Sequence, residues 1–205
     1  MIEAVNISKR FHNRKIISSF NTKIEKNCLT AITGESGKGK TTLLNIISLL
    51  ELPDEGIVKI DNISNPNSKQ IMLLRRHTIS YLFQNYGLID ECTVEKNLLI
   101  SLAYRSTKNA QTSISEVLEQ VGLIGYEKHK VYELSGGEQQ RVALARVLLK
   151  DSSYVFADEP TGNLDVGNRD VVINLLRELA NRGKGVVLAT HDLDLLSYAD
   201  QHIRL

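Results

Sequence analysis

Residues 28–42, CLTAITGESGKGKTT, constrain this chain more than any other stretch. CLTAIT, 28–33, reads as a buried strand. GESGKGKT, 34–41, fits the pattern G-x-x-x-x-G-K-[ST], and TTLLNIISLL after it reads as a helix. A strand that runs through such a loop into a helix is the context a phosphate-binding loop requires. Gly34, Gly37 and Gly39 let backbone N–H groups turn inward around phosphate oxygens. The helix N-terminus adds the positive end of its dipole. The whole loop is therefore the candidate cofactor-binding segment: Gly34, Glu35, Ser36, Gly37, Lys38, Gly39, Lys40, Thr41 and Thr42. Lys40 can reach the β- and γ-phosphates of a nucleotide, and the Thr41 hydroxyl can ligate Mg²⁺.

Such a loop belongs in an α/β fold, and the rest of the chain agrees. Strands are expected at 2–8, 16–24, 28–33, 57–60, at ISYLFQ (79–84), at 153–157 and at 185–190, with the basic link KRFHNRK after the first and the turn PDEG at 53–56. Helices are expected over KQIMLLRRH, 138–149, 167–181 and 192–198. Apolar strands separated by helices argue a parallel sheet covered on both faces. Residues 85–150 show no convincing strand and read as a helical insertion, interrupted by the polar run RSTKNAQTS.

Three strand ends carry chemistry. YVFADE ends in Asp158, an acidic group suited to Mg²⁺, and in Glu159, placed to polarise an attacking water as general base. THD places His191 at the carboxyl end of another strand, where ligands gather in open α/β sheets. Gln84 closes ISYLFQ, where its amide could bond to metal-bound water or to the nucleophile.

ELSGGEQQR, 133–141, raises a different question. Two glycines open a helix, although glycine loses the most backbone entropy on folding. A hydroxyl and bare N–H groups at a helix N-terminus make a second anion site. With one complete phosphate loop already present, that second site makes sense if it closes over nucleotide held by another copy.

At this point the chain resembles the ATP-binding cassette proteins, whose signature motif LSGGEQQR matches. The resemblance runs over essentially the whole length, in the family's motif order. It implies an ATPase of P-loop fold: a mainly parallel core sheet with an antiparallel β subdomain (1–84 and 151–205) and a helical subdomain carrying the signature (85–150), in one domain spanning 1–205. It implies ATP and Mg²⁺ as cofactors, with Thr41, Gln84 and Asp158 on the metal, and Glu159, His191, Gln84 and Lys40 as catalytic groups. Phe11 resembles the aromatic residue that stacks on adenine; read from the residues alone it could equally fill the core. Ser135, Gly136 and Gly137 resemble the contact to the γ-phosphate in trans, extended by Glu138 and Gln139. Asn163, Leu164 and Asp165 resemble the loop that crosses the dimer interface. Three positions depart from the common pattern. Lys38 replaces a frequent serine and is expected to face solvent, Asn27 replaces a turn glycine whose αL geometry asparagine tolerates, and Val131 stands where proline often precedes the signature.

The resemblance further implies an ATP-bound homodimer and a separate transmembrane permease, docking near Tyr86, Leu88 and Ile89. YLFQNYGLI and DEPTGNLD look like lipoprotein-release and macrolide-efflux systems. A short chain ending at HIRL looks like cassettes of lactococcin-type bacteriocin export or immunity. A regulatory module acting on a membrane protein without translocation is the alternative. A coiled-coil chromosome or repair ATPase is excluded, because only about 95 residues separate Lys40 from Ser135 and no heptads run between them. A ribosome-associated factor would carry two cassettes in its chain. The formal charge of +1 gives no field for nucleic acid. Cys28 and Cys92 have no redox or metal spacing, and no apolar run approaches the ~18 residues of a membrane span. The expected place is the cytoplasmic face of the membrane.

Overall fold

The structure is a computed structural model that describes residues 1–12, 14–103, 110–162 and 164–205. In chain order the elements are β1 (Ile2–Phe11), β2 (Arg14–Ile24), β3 (Cys28–Thr33), α1 (Lys40–Ile47), β4 (Glu55–Ile60), β5 (Ile63–Ser64), α2 (Ser68–His77), β6 (Ile79–Leu82), α3 (Val94–Leu99), α4 (Ala110–Gln120), α5 (Gly136–Lys150), β7 (Tyr154–Asp158), α6 (Val166–Asn181), β8 (Gly185–Ala189) and β9 (Gln201–Arg204).

Five strands form a sheet in the order β6-β7-β8-β3-β9, with every neighbouring pair parallel. All residues of β7 and β8 are buried, as a parallel sheet covered on both faces requires. Successive side chains of β7 face opposite layers. Tyr154 and Phe156 join α1 and the antiparallel strands in one apolar cluster. Val155 and Ala157 join the helices of the other, with Val142 and Leu144 of α5 and Leu176 of α6. A second, antiparallel sheet has the order β2-β1-β4-β5. The chain thus combines a parallel core, an antiparallel β layer and a helical region.

Because the core strands are parallel and in register, Asp158 lies opposite Ala189, and Ala189 opposite Ile32. The chain therefore leaves β3, β7 and β8 on one edge of the sheet, and the candidate residues follow at that edge.

Several boundaries differ from the sequence reading. β1 and β2 run on into KRFHNRK, where Phe11 pairs with Arg14, so the expected link is mostly hairpin. β6 ends at Leu82, which puts Gln84 in the following turn instead of the strand. Residues Leu193–Tyr198 form a 3₁₀ stretch capped by the Asp192 side chain, not an α-helix. QHIR forms β9, a strand that four residues without alternation did not signal. Asn27 has φ 57°, the left-handed geometry expected of it. No strand lies between residues 83 and 153 among the described residues, although Thr93 and Lys130 make one isolated bridge. Part of RSTKNAQTS (residues 105–109) and Asn163 lie outside the described residues.

The segment after Gln84 is pinned by Asn97, which is fully buried on α3. Its side chain accepts from Ile89 N–H at 2.8 Å and donates to the Ile89 and Thr93 carbonyls, both at 3.1 Å.

Candidate active site

The turn after β3 is built on glycines. Gly39 caps α1 at φ 100°, and a Cβ there would stand 2.6 Å from the Ile16 side chain on β2. Gly37 has φ 76° and nothing within 4 Å of a built Cβ, so its backbone faces open space. Lys40 is 9% exposed, and its ammonium donates to the loop's own carbonyls, Gly34 O at 2.9 Å and Glu35 O at 3.3 Å. Lys38 points outward, as expected, and pairs with Glu35 at 3.6 Å.

Thr41 donates its hydroxyl to Asp158 Oδ1 at 3.0 Å, joining α1 to the end of β7. Burial pushes the Asp158 carboxyl above its ordinary range; the Thr41 bond opposes this, the neighbouring Glu159 adds to it, and Lys40 opposes it. Glu159 follows in a left-handed conformation, φ 45°, with its N–H donating to Ala189 O at 2.9 Å. That turn aims its carboxylate at His191, whose Nδ1 lies 2.9 Å from Oε2. The carboxylate is 14% exposed and the imidazole 67% exposed.

Lys40, Thr41, Glu159 and His191 line one cleft of about 490 Å³ with Phe11, Gly37, Gln84 and Gly162, and Asp158 borders a neighbouring hollow that Gln84 also lines. Phe11 is 44% exposed, so it is not a core residue. The oxygens beside the cleft come from a hydroxyl, a carboxylate and an amide (Thr41, Asp158 and Gln84). That donor set fits a hard cation such as Mg²⁺. Among the described residues no group of three His, Cys, Asp or Glu could hold a metal. A Mg²⁺ ion would therefore take most of its ligands from phosphate and water.

Ser135, Gly136, Gly137 and Glu138 do not line this cleft. Ser135 caps α5, and its backbone N–H and hydroxyl both donate to Glu138 Oε2 at 2.8 Å. Tyr126 donates to the other oxygen, also at 2.8 Å. The Ser135 hydroxyl, the Ser135 N–H and Tyr126 hold the Glu138 carboxyl below its usual range. Glu138 thus shapes the helix opening, and the S-x-x-E spacing was its sequence signal. Gln139 turns back to the Val131 and Leu134 carbonyls, at 3.3 and 3.0 Å, bracing the loop in which Val131 replaces proline.

Sequence reasoning missed two residues around this helix, Gln140 and Asn168, and had placed a third, Asp165, only by resemblance. Gln140 is buried and donates to Pro160 O at 2.8 Å, tying α5 to the turn after Glu159. Asn168 sits against Gly137, 3.0 Å from a built Cβ, and accepts from Arg141. Asp165 caps α6 by accepting from Asn168 N–H at 3.0 Å, and that bond leads in holding its carboxyl low. The Gln140–Pro160 and Arg141–Asn168 pairings join residues far apart in the chain and leave no local pattern.

Residues 17–162 match the ABC transporter family. Over its whole length the chain is 37% identical to the lipoprotein-releasing system ATP-binding protein LolD of Bacteroides fragilis, of which it spans 97%. It is 33% identical to the macrolide export ATP-binding/permease protein MacB of Chlorobaculum tepidum, covering all of this chain and 33% of that one. A dimeric bacterial ABC transporter cassette superposes with a TM-score of 0.93 at 33% identity, covering 100% of this chain and 94% of that one. A dimeric cassette in a post-hydrolysis state bound to ADP and phosphate superposes at 0.90, with the same identity and coverage.

The buried carboxyl gives a pH-dependent test. Burial on folding raises the Asp158 pKa above the ordinary aspartate range, so the folded state favours its protonated form. The stabilisation that protonation gives is complete below the unfolded pKa and is lost as pH rises through the folded value. Above that window the site holds a desolvated charge. Asp158→Asn keeps the acceptor for Thr41 and removes the charge. In thermal melts the ligand-free variant is expected to unfold above the parent at about pH 8, with the gap closing toward about pH 4. A variant less stable than the parent at the higher pH contradicts this reading of the site.

Proposed function

The chain belongs to the ABC transporter family, and from that premise we propose that it is the ATP-hydrolysing subunit of an exporter, closing head to tail on a second copy and driving a separate membrane subunit. The observation that carries the dimer reading is the incomplete cleft. The phosphate loop, Glu159 and His191 line it, while the exposed opening of α5 at Ser135 and Gly136 faces elsewhere. The dimeric form of the solved cassettes supports the same reading.

In this reading the loop N–H groups and Lys40 hold the β- and γ-phosphates, and Lys40 leaves the Gly34 and Glu35 carbonyls to do so. Phe11 stacks on the base through its exposed face. Thr41, Asp158 and Gln84 would hold Mg²⁺, which when bound supplies charge neutralisation on the phosphates. Glu159 takes the proton of the attacking water as its oxygen bonds to the γ-phosphorus and ADP leaves. His191, 2.9 Å from that carboxylate, orients it and the water. Ser135, Gly136 and Gly137 of the second copy cap the γ-phosphate, with Glu138 holding the cap's shape. Asp165, capping α6 in the loop that the resemblance puts at the dimer interface, stands beside the cap through Asn168.

No helix among the described residues is long and apolar enough to cross a membrane. Attachment therefore falls to a docking surface. Tyr86 and Leu88 are partly buried against the core, so the expected docking triplet is not available as one face. A groove beside it fits better. Leu52, Met72 and Ile100 give it an exposed apolar floor, and Arg75, Arg76 and Lys150 are among the residues that line it. That apolar floor suits the apolar face of a short amphipathic helix on the membrane subunit. The functions for which the relatives are named, lipoprotein release and macrolide export, support a lipophilic or peptide cargo. The small-cassette resemblance favours a bacteriocin-type peptide.

Glu159→Gln keeps the shape of the site and removes the base. Size-exclusion chromatography with light scattering is expected to show this variant as a dimer in ATP and Mg²⁺ and as a monomer in ADP. Adding Ser135→Arg should return it to monomer; a dimer indifferent to that change removes the signature from the interface. For the groove, Met72→Glu with Ile100→Glu should release the protein from membranes holding its partner while leaving ATP affinity unchanged. Retention on those membranes would place docking elsewhere.

A further inference from the structure

The turn after β6 is fastened to α5 at two points. Tyr86 and Gly87 are both left-handed, φ 63° and 60°. One guanidinium takes both of their carbonyls: Arg146 Nη1 donates to Gly87 O at 2.5 Å and Nη2 to Tyr86 O at 2.9 Å. Arg146 lies ten residues beyond Gly136 on α5, about 15 Å along the helix axis. The Tyr86 hydroxyl reaches the other end, 3.1 Å from a Cβ built on Gly136. Tyr86 therefore lies along α5, with its ring at the helix opening and its backbone under Arg146.

Arg146 is an unusual residue to find here. Among the described residues no carboxylate pairs with it, and burial alone shifts its pKa, downward. A half-buried guanidinium that donates to two carbonyls is held where both arms of its planar fork can bond, which fixes direction as well as distance. Gln84, two residues before Tyr86, lines the nucleotide cleft. A pull on Gln84 thus reaches α5 through Tyr86, Gly87 and Arg146, and α5 begins at Ser135–Gly137.

We propose that Arg146 is a positioning residue that couples nucleotide contact at Gln84 to the placement of Ser135, Gly136 and Gly137. The proposal rests on the functional reading above, in which those residues act on a second copy's nucleotide. Arg146 itself touches no substrate. Replacing it leaves the phosphate loop intact, so ATP still binds while the signature is presented in the wrong place.

The test is a double-mutant cycle on ATP turnover by the purified chain at saturating ATP, with ATP affinity measured in parallel. Arg146→Ala is expected to lower kcat about tenfold, with ATP affinity within about twofold of the parent. Arg146→Lys, which keeps one donor at a time, should recover part of the loss. Gln84→Ala with Arg146→Ala should fall no more than about twofold below the weaker single variant, because both changes break one linkage. Losses that multiply overturn the proposal. So does an Arg146→Ala protein with parental kcat, or one whose ATP affinity falls as far as its kcat. If Arg146→Ala does not fold, Arg146→Lys carries the same cycle with the same criteria. A parent chain that neither turns over ATP nor dimerises would instead sink the functional reading and is seen before any variant is made.

Discussion

The Thr41 hydroxyl bonded to Asp158 is the contact on which the rest of this structure depends. It joins the first turn of α1, just past the phosphate loop, to the last residue of β7. Between those two points run the hydrogen bonds of a parallel sheet in which β7 and β8 are entirely buried. The bond places an acidic oxygen beside the open phosphate loop, where burial raises the carboxyl's pKa. A carboxyl left there without Thr41 would be an unpaired buried acid, which is costly in a low-dielectric setting. The same edge of the sheet then turns Glu159, in a strained left-handed conformation, toward His191. Strain of this sort persists only where the surroundings over-determine it. Here the Glu159 N–H bond to β8 does so.

The second half of the chemistry is kept apart. Ser135 and Gly136 open a helix whose N-terminus is exposed, and the capping box with Glu138 satisfies one of its donors without filling the space in front of it. Links run back from that helix to the cleft. Gln140 reaches Pro160, next to Glu159. Arg146 holds the turn after Gln84. The site is therefore split in space and connected through α5, an arrangement that suits a reaction completed only when two copies meet.

What the sequence made legible was what is local. The phosphate loop, the acidic pair after β7, His191 and the signature are short patterns whose chemistry depends on neighbours in the chain, and all were readable. The parallel core was readable because β7 and β8 are uninterrupted apolar runs. β9 was not, because four residues at QHIR carry no period and gain their place only by pairing with β3. Phe11 stayed ambiguous until the hairpin extended through it and left its ring exposed. Asn97, Gln140, Arg146 and Asn168 were invisible for one reason: each works through a partner that its own neighbours in sequence do not announce. Asn97 bonds to Ile89, Gln140 to Pro160 and Arg146 to Tyr86.

The central claim, that each nucleotide is enclosed by the phosphate loop of one copy and the signature of another, can be tested by mixing two inactive variants. Lys40→Ala lacks the charge that holds the phosphates and keeps its signature. Ser135→Arg blocks the signature and keeps its phosphate loop. In a head-to-tail pair of the two, one site joins an intact loop to an intact signature. ATP hydrolysis by the mixture is therefore expected to exceed the sum of the two proteins assayed alone. A mixture no more active than that sum, at concentrations where the parent dimerises, would contradict a site shared between copies.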